Sequence, residues 1–190
     1  IAAARKHRSL SSLRAEAGVL LRNRRGQSGL WSYAISGDLP IVLLQIGDSE
    51  NIDLVRQLVQ AHAYWRLKGL AVDLVIWNED RGGYRQVLQD QIMGLIAAGV
   101  EAHVMDRPGG IFVRPADQIA EEDRILFQAV ARAILSDSRG TLAEQISGLV
   151  AAGDVVGHAW HEAVFVEGFA VVAHGRVGLG RGRDEERPCA

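Results

Sequence analysis

Acidic side chains follow two apolar runs, at the points where those runs end. Asp48 comes just after residues 40–46 (PIVLLQI), and Glu79 and Asp80 come just after residues 70–77 (LAVDLVIW). If both runs are parallel strands, their carboxyl ends meet at one edge of the sheet, where such folds bind ligands. Acids there could hold a metal ion or sugar hydroxyls. They could also be ordinary caps at helix N-termini, which is the interpretation we favour.

A second pattern combines aromatic rings with a carboxylate. Trp31 and Tyr33 precede the turn Ser36-Gly37-Asp38, and Trp77 lies in the second apolar run. A sugar-facing loop would use the rings as stacking platforms and Asp38 as a hydrogen-bond acceptor, so it predicts exposed rings. The alternative is a structural turn whose Trp and Tyr pack on a neighbouring domain. The turn precedes its strand, whereas open parallel sheets bind ligands beyond the carboxyl ends, which favours the structural turn.

Asp73 interrupts the second apolar run. A carboxylate inside a buried strand is unfavourable unless it is paired or hydrogen-bonded. The sequence therefore predicts either an edge-facing residue or a buried anchor, and Arg66 is one potential partner. Together these patterns give seven ligand-binding candidates: Trp31, Asp38, Asp48, Asp73, Trp77, Glu79 and Asp80.

Several known functional motifs are absent from the sequence. His161-Glu162 would open a zinc-binding H-E-x-x-H helix, but Phe165 stands where the second histidine is required. A looser metal site from His158, His161, Glu162 and His174 is less favoured than scattered histidines. The chain has no phosphate-binding P-loop and no G-x-S-x-G nucleophile turn, and Cys189 is its single cysteine. We predict no catalytic residue, no metal and no cofactor from these residues.

The elements that position these residues alternate between strand and helix. Residues 35–80 form a βαβ unit, whose helix begins near Asp48-Ser49-Glu50-Asn51 and ends at Gly69. We then predict the following: a helix over 84–98, strands over 100–105 and 111–114 (the latter a possible hairpin partner), a helix over 119–135, and a helix over 141–152 opened by a Thr141/Glu144 capping box. The fold class is α/β, a three-layer βαβ-type domain with a mostly parallel sheet of three or four short strands flanked by helices.

Length and composition divide the chain into three parts. Residues 1–30 read as a basic linker with a short helix, 31–152 as the α/β domain, and 153–190 as an atypical, irregular tail with strand-like apolar stretches. The tail lacks lysine, and we interpret it as disordered or as the product of a shifted reading frame. A net charge of −2 gives no reason to expect a nucleic-acid partner, and no apolar run approaches the roughly 20 residues that span a bilayer. Because residue 1 is Ile, we expect a piece of a longer protein.

Several segments are distinctive as stretches of sequence, although they contain no catalytic motif. They are NRRGQSGLWSYAISGDLPIVLLQI, LVRQLVQAHAYWRLKGLAVDLVIWNED, GGYRQVLQDQI, RPGGIFVRPADQIAEEDRILFQAVARAIL and RGTLAEQ. In this order, over about residues 13–145, they resemble a region of bacterial cyclic β-1,2-glucan synthases. The resemblance implies a large membrane-bound parent that transfers glucose from UDP-glucose, and a phosphorylase-like region related to cellobiose phosphorylases. No residue here matches that region's catalytic motif.

The resemblance therefore implies a non-catalytic module that braces carbohydrate-active domains of the synthase. Its expected partners are those neighbouring domains and β-glucan, with no nucleic acid and no direct membrane contact. The implied location is the cytoplasmic side of the bacterial inner membrane, with the segment itself soluble. Two alternatives stay open: an independent nucleotide-binding domain or small enzyme with Asp48, Glu79 and Asp80 at its ligand edge, and a carbohydrate-binding module.

Overall fold

The first strand of the sheet, β1 (Ile41–Ile46), is apolar at every position except Gln45, and every other side chain in it is buried. An apolar run without alternation is typical of a strand that is covered on both faces. It lies between two parallel neighbours, β2 (Asp73–Asn78) and β4 (Ala133–Ser136). The computed structural model describes residues 13–80, 85–99, 101–150 and 160–173.

Four parallel strands form the described sheet, in the order β3-β2-β1-β4, where β3 is Ile111–Pro115. Ile41 pairs with Asp73, Val42 with Ala133, and Leu74 with Ile111. The chain moves outward from β1 to β2 and β3, and then returns to place β4 on the other side of β1. The reversal creates a switch point between β1 and β4.

Helices cover both faces of the sheet, which confirms the predicted three-layer α/β class. They are α1 (Ala17–Arg22), α2 (Ile52–Leu67), α3 (Arg85–Ala97), α4 (Glu121–Val130), α5 (Leu142–Val150) and α6 (Trp160–Ala173). One hydrophobic core joins the sheet to α2, α3, α5 and α6. The second core joins the opposite face to α4 and to a 3₁₀ turn over Gln27–Tyr33.

Local signals at the helix ends behave as the sequence predicts. The Asp48 side chain accepts a hydrogen bond from the backbone N–H of Glu50 at 2.9 Å, in the turn that leads into α2. Gly69, at φ 76°, lies just after the end of α2. At α5 the carboxylate of Glu144 accepts the Thr141 N–H at 2.8 Å, and the Thr141 hydroxyl accepts the Glu144 N–H at 3.3 Å. The capping box is therefore confirmed.

The predicted strand over residues 100–105 is wrong. Ala102–Val104 form a 3₁₀ turn, and Met105 makes only an isolated bridge to Ile111. The third strand is instead β3, which pairs in parallel with β2, so the predicted hairpin is wrong as well. The apolar residues that begin β3 are all buried, whereas the earlier segment carries Glu101, which turns inward to an ion pair.

The predicted helix over residues 119–135 is too long. It ends at Val130, and residues 133–136 form β4. The Arg132 N–H donates to the Ile41 carbonyl oxygen at 2.7 Å, so pairing with β1 begins directly after the helix. A short apolar run such as Ala133–Leu135 fits a helix or a buried strand equally well by periodicity, and here tertiary pairing decides.

Part of the C-terminal tail is helical, where the sequence suggested strands. Helix α6 packs on α2, with Phe165 stacked on Trp65 at 4.9 Å between ring centroids and Phe169 edge-on at 5.0 Å. The Trp65 indole N–H donates to the Phe165 carbonyl oxygen at 3.0 Å. His158, His174 and Cys189 lie outside the described residues, and so do the side chains of His161 and Glu162. Among the helices that the structure describes, none is long and apolar enough to cross a membrane.

Candidate functional site

A doubly wound domain binds its ligand at the carboxyl ends of the strands. At the switch point, a side chain of the same protein occupies the place where an anionic ligand would bind. The Asp137 carboxylate, just after β4, accepts hydrogen bonds from the backbone N–H groups of Gly47 at 2.8 Å and Asp48 at 3.0 Å, just after β1. Backbone N–H groups at this turn are what such folds offer to a phosphate. A carboxylate of the same chain is an anion in that position.

The predicted acids at this edge come together, and they also make internal contacts. Glu79 accepts a hydrogen bond from the Gln45 amide at 3.3 Å, and its backbone N–H donates to Ile46 at 2.7 Å, which brings it beside the end of β1. The backbone N–H of Asp80 donates to the Asn78 side-chain oxygen at 3.1 Å. Asp48 caps the turn into α2. In the described part of the chain, no three His, Cys, Asp or Glu side chains are placed to hold a metal ion.

Asp73 lies at the opposite, amino edge of the sheet and is a buried anchor. One carboxylate oxygen accepts the Gly109 N–H at 2.7 Å and so fixes the turn before β3, while the other is buried and has no hydrogen-bond partner among the described residues. Burial raises the pKa of Asp73 above its usual value; the Gly109 hydrogen bond and nearby His62 oppose this shift, and Asp38 adds to it. Arg66, the partner suggested by the sequence, binds elsewhere.

A buried ion cluster takes Arg66 instead. The Glu101 carboxylate, 2% exposed, contacts His62 Nδ1 at 2.5 Å and Arg66 at 2.8 Å. His62 Nε2 lies 3.0 Å from the Val72 carbonyl oxygen, so both ring nitrogens face acceptors. Burial alone would raise the pKa of Glu101, but the hydrogen bond from His62 and the charge of Arg66 outweigh it, and the net pKa is lowered. The cluster ties α2 to the segment after α3, with His62 and Glu101 buried and Arg66 partly exposed.

Trp31 and Asp38 lie together on a loop before β1. The Trp31 indole N–H and the Gln27 amide both donate to the Ser36 carbonyl oxygen, at 3.3 and 2.7 Å, and Gln27 also donates to Asp38 at 2.8 Å. The Trp31 side chain is nevertheless 65% exposed. Its neighbour Leu30 is buried in the core, so the backbone beneath the ring is anchored.

Trp77 lies in β2 and not on this loop, and its prediction as a stacking platform is wrong. It is 1% exposed and packs edge-on against Phe127, with the ring centroids 5.6 Å apart. Its strand is covered on both faces, so neither face of the indole is open to a sugar. Tyr33 is half-buried, and its hydroxyl donates to Asp123 at 3.0 Å. Of the three rings, Trp31 alone is largely exposed.

A surface cavity of about 540 Å³ lies between α2 and α3. Apolar side chains form much of its lining, and Arg56, Gln60 and Gln91 supply the polar groups. Arg56 is engaged by Asp53, one turn earlier on the same helix. The cavity therefore lacks a free charge among its described lining residues.

Two contacts of this region could not be predicted from local sequence patterns. The first is that of Asp137, because nothing in the local sequence shows that β4 would bring it beside Gly47. The partnership of His62 with Glu101 joins residues 39 positions apart. A histidine on the apolar face of a predicted helix was the available signal, since a buried imidazole requires polar partners.

The described strands and helices define a doubly wound α/β module, in which Asp137 binds the backbone N–H groups of Gly47 and Asp48 at the switch point. No protein-family model matches the chain. The chain is similar to the cyclic beta-(1,2)-glucan synthase NdvB of Rhizobium meliloti (strain 1021), with 32% identity over 136 residues. The match covers 71% of this chain and 5% of the relative's length. The resemblance seen in the sequence is thereby confirmed: over most of its length the chain is related to a cyclic β-1,2-glucan synthase.

Proposed function

We propose that the chain is a non-catalytic module of a cyclic β-1,2-glucan synthase, where it braces neighbouring carbohydrate-active domains. The single observation that carries the proposal is the position of Asp137. Its carboxylate accepts the two backbone N–H groups that a bound phosphate would need, at 2.8 and 3.0 Å. A nucleotide sugar would have to displace a charge that belongs to the fold.

The other polar groups of this edge support the same proposal. Asp48 caps a turn, Gln45 binds Glu79, and the Asn78 amide donates to Gln89 at 3.2 Å. A nucleotide-binding domain or small enzyme would instead present convergent polar groups toward an open cleft. The similarity to a glucan synthase supplies the biological setting, and the chain's 5% share of that relative fits one module among many.

Titration with UDP-glucose tests the non-catalytic part of the proposal. By isothermal titration calorimetry we expect no saturable heat for the wild-type chain, and no glucan formed from UDP-glucose. Asp137→Ala is measured beside it, because this variant lacks the carboxylate that accepts the Gly47 and Asp48 N–H groups. Binding of UDP-glucose by this variant alone would show that the carboxylate occupies the anion position. Saturable binding of UDP-glucose by the wild type would overturn the proposal.

The bracing role is tested by a graft. In the Rhizobium meliloti synthase, the stretch that matches this chain is replaced either by the chain's own matching residues or by a glycine-serine linker of equal length. We expect glucan synthesis to survive the first exchange and to fail with the linker. A graft carrying Trp65→Ala is the matched control, because it disrupts the core and leaves every exposed residue in place. Full synthesis with the linker would show that no bracing is needed.

Carbohydrate binding is a second candidate, and one observation favours it. Trp31 presents an exposed ring in a fixed position beside a carboxylate, as a sugar-binding loop requires.

A further inference from the structure

The loop over residues 27–38 holds the exposed indole of Trp31 in a fixed orientation. The Trp31 N–H is bound to the Ser36 carbonyl oxygen, which fixes the rotation of the ring. Leu30 is 1% exposed and anchors the backbone on the inner side. On the far side the Arg114 guanidinium donates to the Tyr33 carbonyl oxygen at 2.8 Å. The ring face is therefore presented without the loss of side-chain freedom that binding normally demands.

Polar groups stand at the edge of this ring. Gln27 and the indole donate to the same carbonyl oxygen, so the amide lies beside the ring, and its N–H also holds the Asp38 carboxylate at 2.8 Å. Both Gln27 and Asp38 are exposed. A carboxylate has acceptor capacity for several donors, and the amide oxygen is a further acceptor. The loop thus combines an apolar plate with acceptors at its rim.

We propose that this loop binds one glucose unit of a β-linked glucan chain, with the sugar stacked on Trp31 and its hydroxyls donating to Asp38 and Gln27. This inference rests on the proposed function, which supplies the glucan. A β-glucose ring is flat, with C–H groups on its faces and hydroxyls around its rim. Such a ring matches a fixed aromatic face, whose π surface attracts C–H groups, bordered by acceptors.

The surroundings of Trp31 favour a sugar over an apolar face of another domain. Its exposed neighbours on the loop are polar except for the small residue Ala34: Gln27, Ser28, Ser32 and Asp38. The centre of a protein interface is instead depleted in charged residues and enriched in apolar ones. The large apolar residue of the same turn, Leu30, faces the core and is unavailable to a partner.

The chain's own tryptophans make the binding measurable. Of the tryptophans whose side chains the structure describes, Trp65 and Trp77 are buried, at 0% and 1% exposure, and Trp31 is exposed. With Trp160 replaced by Phe, Trp31 is the exposed fluorophore. Linear β-1,2-glucooligosaccharides are the probe, and α-1,4-glucooligosaccharides are the linkage control. We expect a saturable fluorescence change and protection of Trp31 from acrylamide quenching with the β-1,2 chains.

Calorimetry then compares variants, because it needs no fluorophore. Trp31→Ala should weaken binding at least tenfold, Trp31→Tyr should retain it within about threefold, and Asp38→Ala should weaken it several-fold. Leu21→Ala is the matched control: Leu21 is 77% exposed, and its loss should leave binding unchanged. No binding by the wild type, or equal binding by Trp31→Ala, would overturn the inference.

The two proposals fail differently. If the wild type binds neither UDP-glucose nor the oligosaccharides, the proposed sugar site is wrong and the proposed bracing role is unaffected. If it binds UDP-glucose, the non-catalytic role is wrong. Should Trp31→Ala impair only the grafted synthase and not oligosaccharide binding, Trp31 contacts another domain and the inference is refuted.

Discussion

Replacing Gly168 by alanine tests whether α6 belongs to the folded core. Gly168 lies against the indole of Trp65, and a methyl group there would fall well inside van der Waals contact with the ring nitrogen and its two neighbouring carbons. Trp65 is fully buried between Phe165 and Phe169, so the ring has no room to turn away. The helix provides space for glycine and for nothing larger.

Two opposing effects set the magnitude. In an unobstructed helix, Gly→Ala stabilises by roughly 1 kcal/mol. Forcing an extra methyl into a packed core destabilises by about 1–3 kcal/mol. Because the clash is with the body of a buried ring, we expect packing to dominate and the free energy of unfolding to fall by about 1–2 kcal/mol. Gly94→Ala in α3 is the matched control: apart from the adjacent residues and the backbone of its own helix, no atom lies within 4 Å of its new methyl, so it should stabilise.

A double-mutant cycle identifies the cause. Trp65→Ala alone should lower the free energy of unfolding by roughly 3–5 kcal/mol, since it empties a fully buried site. In that background Gly168→Ala should change sign and stabilise, because the obstacle is gone and the methyl fills part of the cavity. Urea unfolding followed by far-ultraviolet circular dichroism measures all four chains without relying on tryptophan. If Gly168→Ala stabilises the wild type as Gly94→Ala does, α6 does not pack on Trp65.

Three further predictions concern polar groups. Because the pKa of Glu101 is lowered in the fold, its stabilisation is complete above its ordinary pKa of 4.5 and is lost as pH falls. Glu101→Gln should thus lower stability at pH 7 by about 3 kcal/mol, and by less at acidic pH, in urea titrations. Asp73 has a raised pKa, so the wild type should lose stability relative to Asp73→Asn as pH rises above 3.8; a constant difference would contradict this. Thr141→Ala should destabilise by about 1 kcal/mol in thermal unfolding, and by somewhat less in a Glu144→Ala background, which keeps the N–H of residue 144 but removes the carboxylate that the hydroxyl also contacts.

The local signals in the sequence predicted the centre of the fold well. Two apolar runs and a one-faced helix gave β1, α2 and β2 with boundaries shifted by a few residues. Leu58 and Trp65 are seven positions apart in the predicted helix, a spacing that places them on one helix face, and both are fully buried. Capping at Asp48 and Thr141 was readable because each interaction spans only two or three residues.

Features that depend on distant pairing could not be predicted in the same way. Residues 133–136 become a strand because Ile41 and Val42 offer an unpaired edge, which no local pattern reveals. The residue type of Trp77 suits sugar stacking, whereas its position in a strand that is covered on both faces decides its burial. The environment of Asp73 likewise depends on Gly109, 36 residues away.

The two edges of the sheet explain why a sugar site would lie at the less usual one. At the carboxyl edge, Asp137 satisfies the backbone N–H groups that would otherwise attract an anion, so opening that edge would break two hydrogen bonds of the fold. At the amino edge, the Gln27 amide N–H donates one hydrogen bond to the Asp38 carboxylate. The oxygens of both side chains can accept further hydrogen bonds beside the exposed Trp31 ring. Binding there requires no internal bond to break. We therefore expect the sugar to bind at the edge that needs the smaller reorganisation, even though the topology alone favours the other.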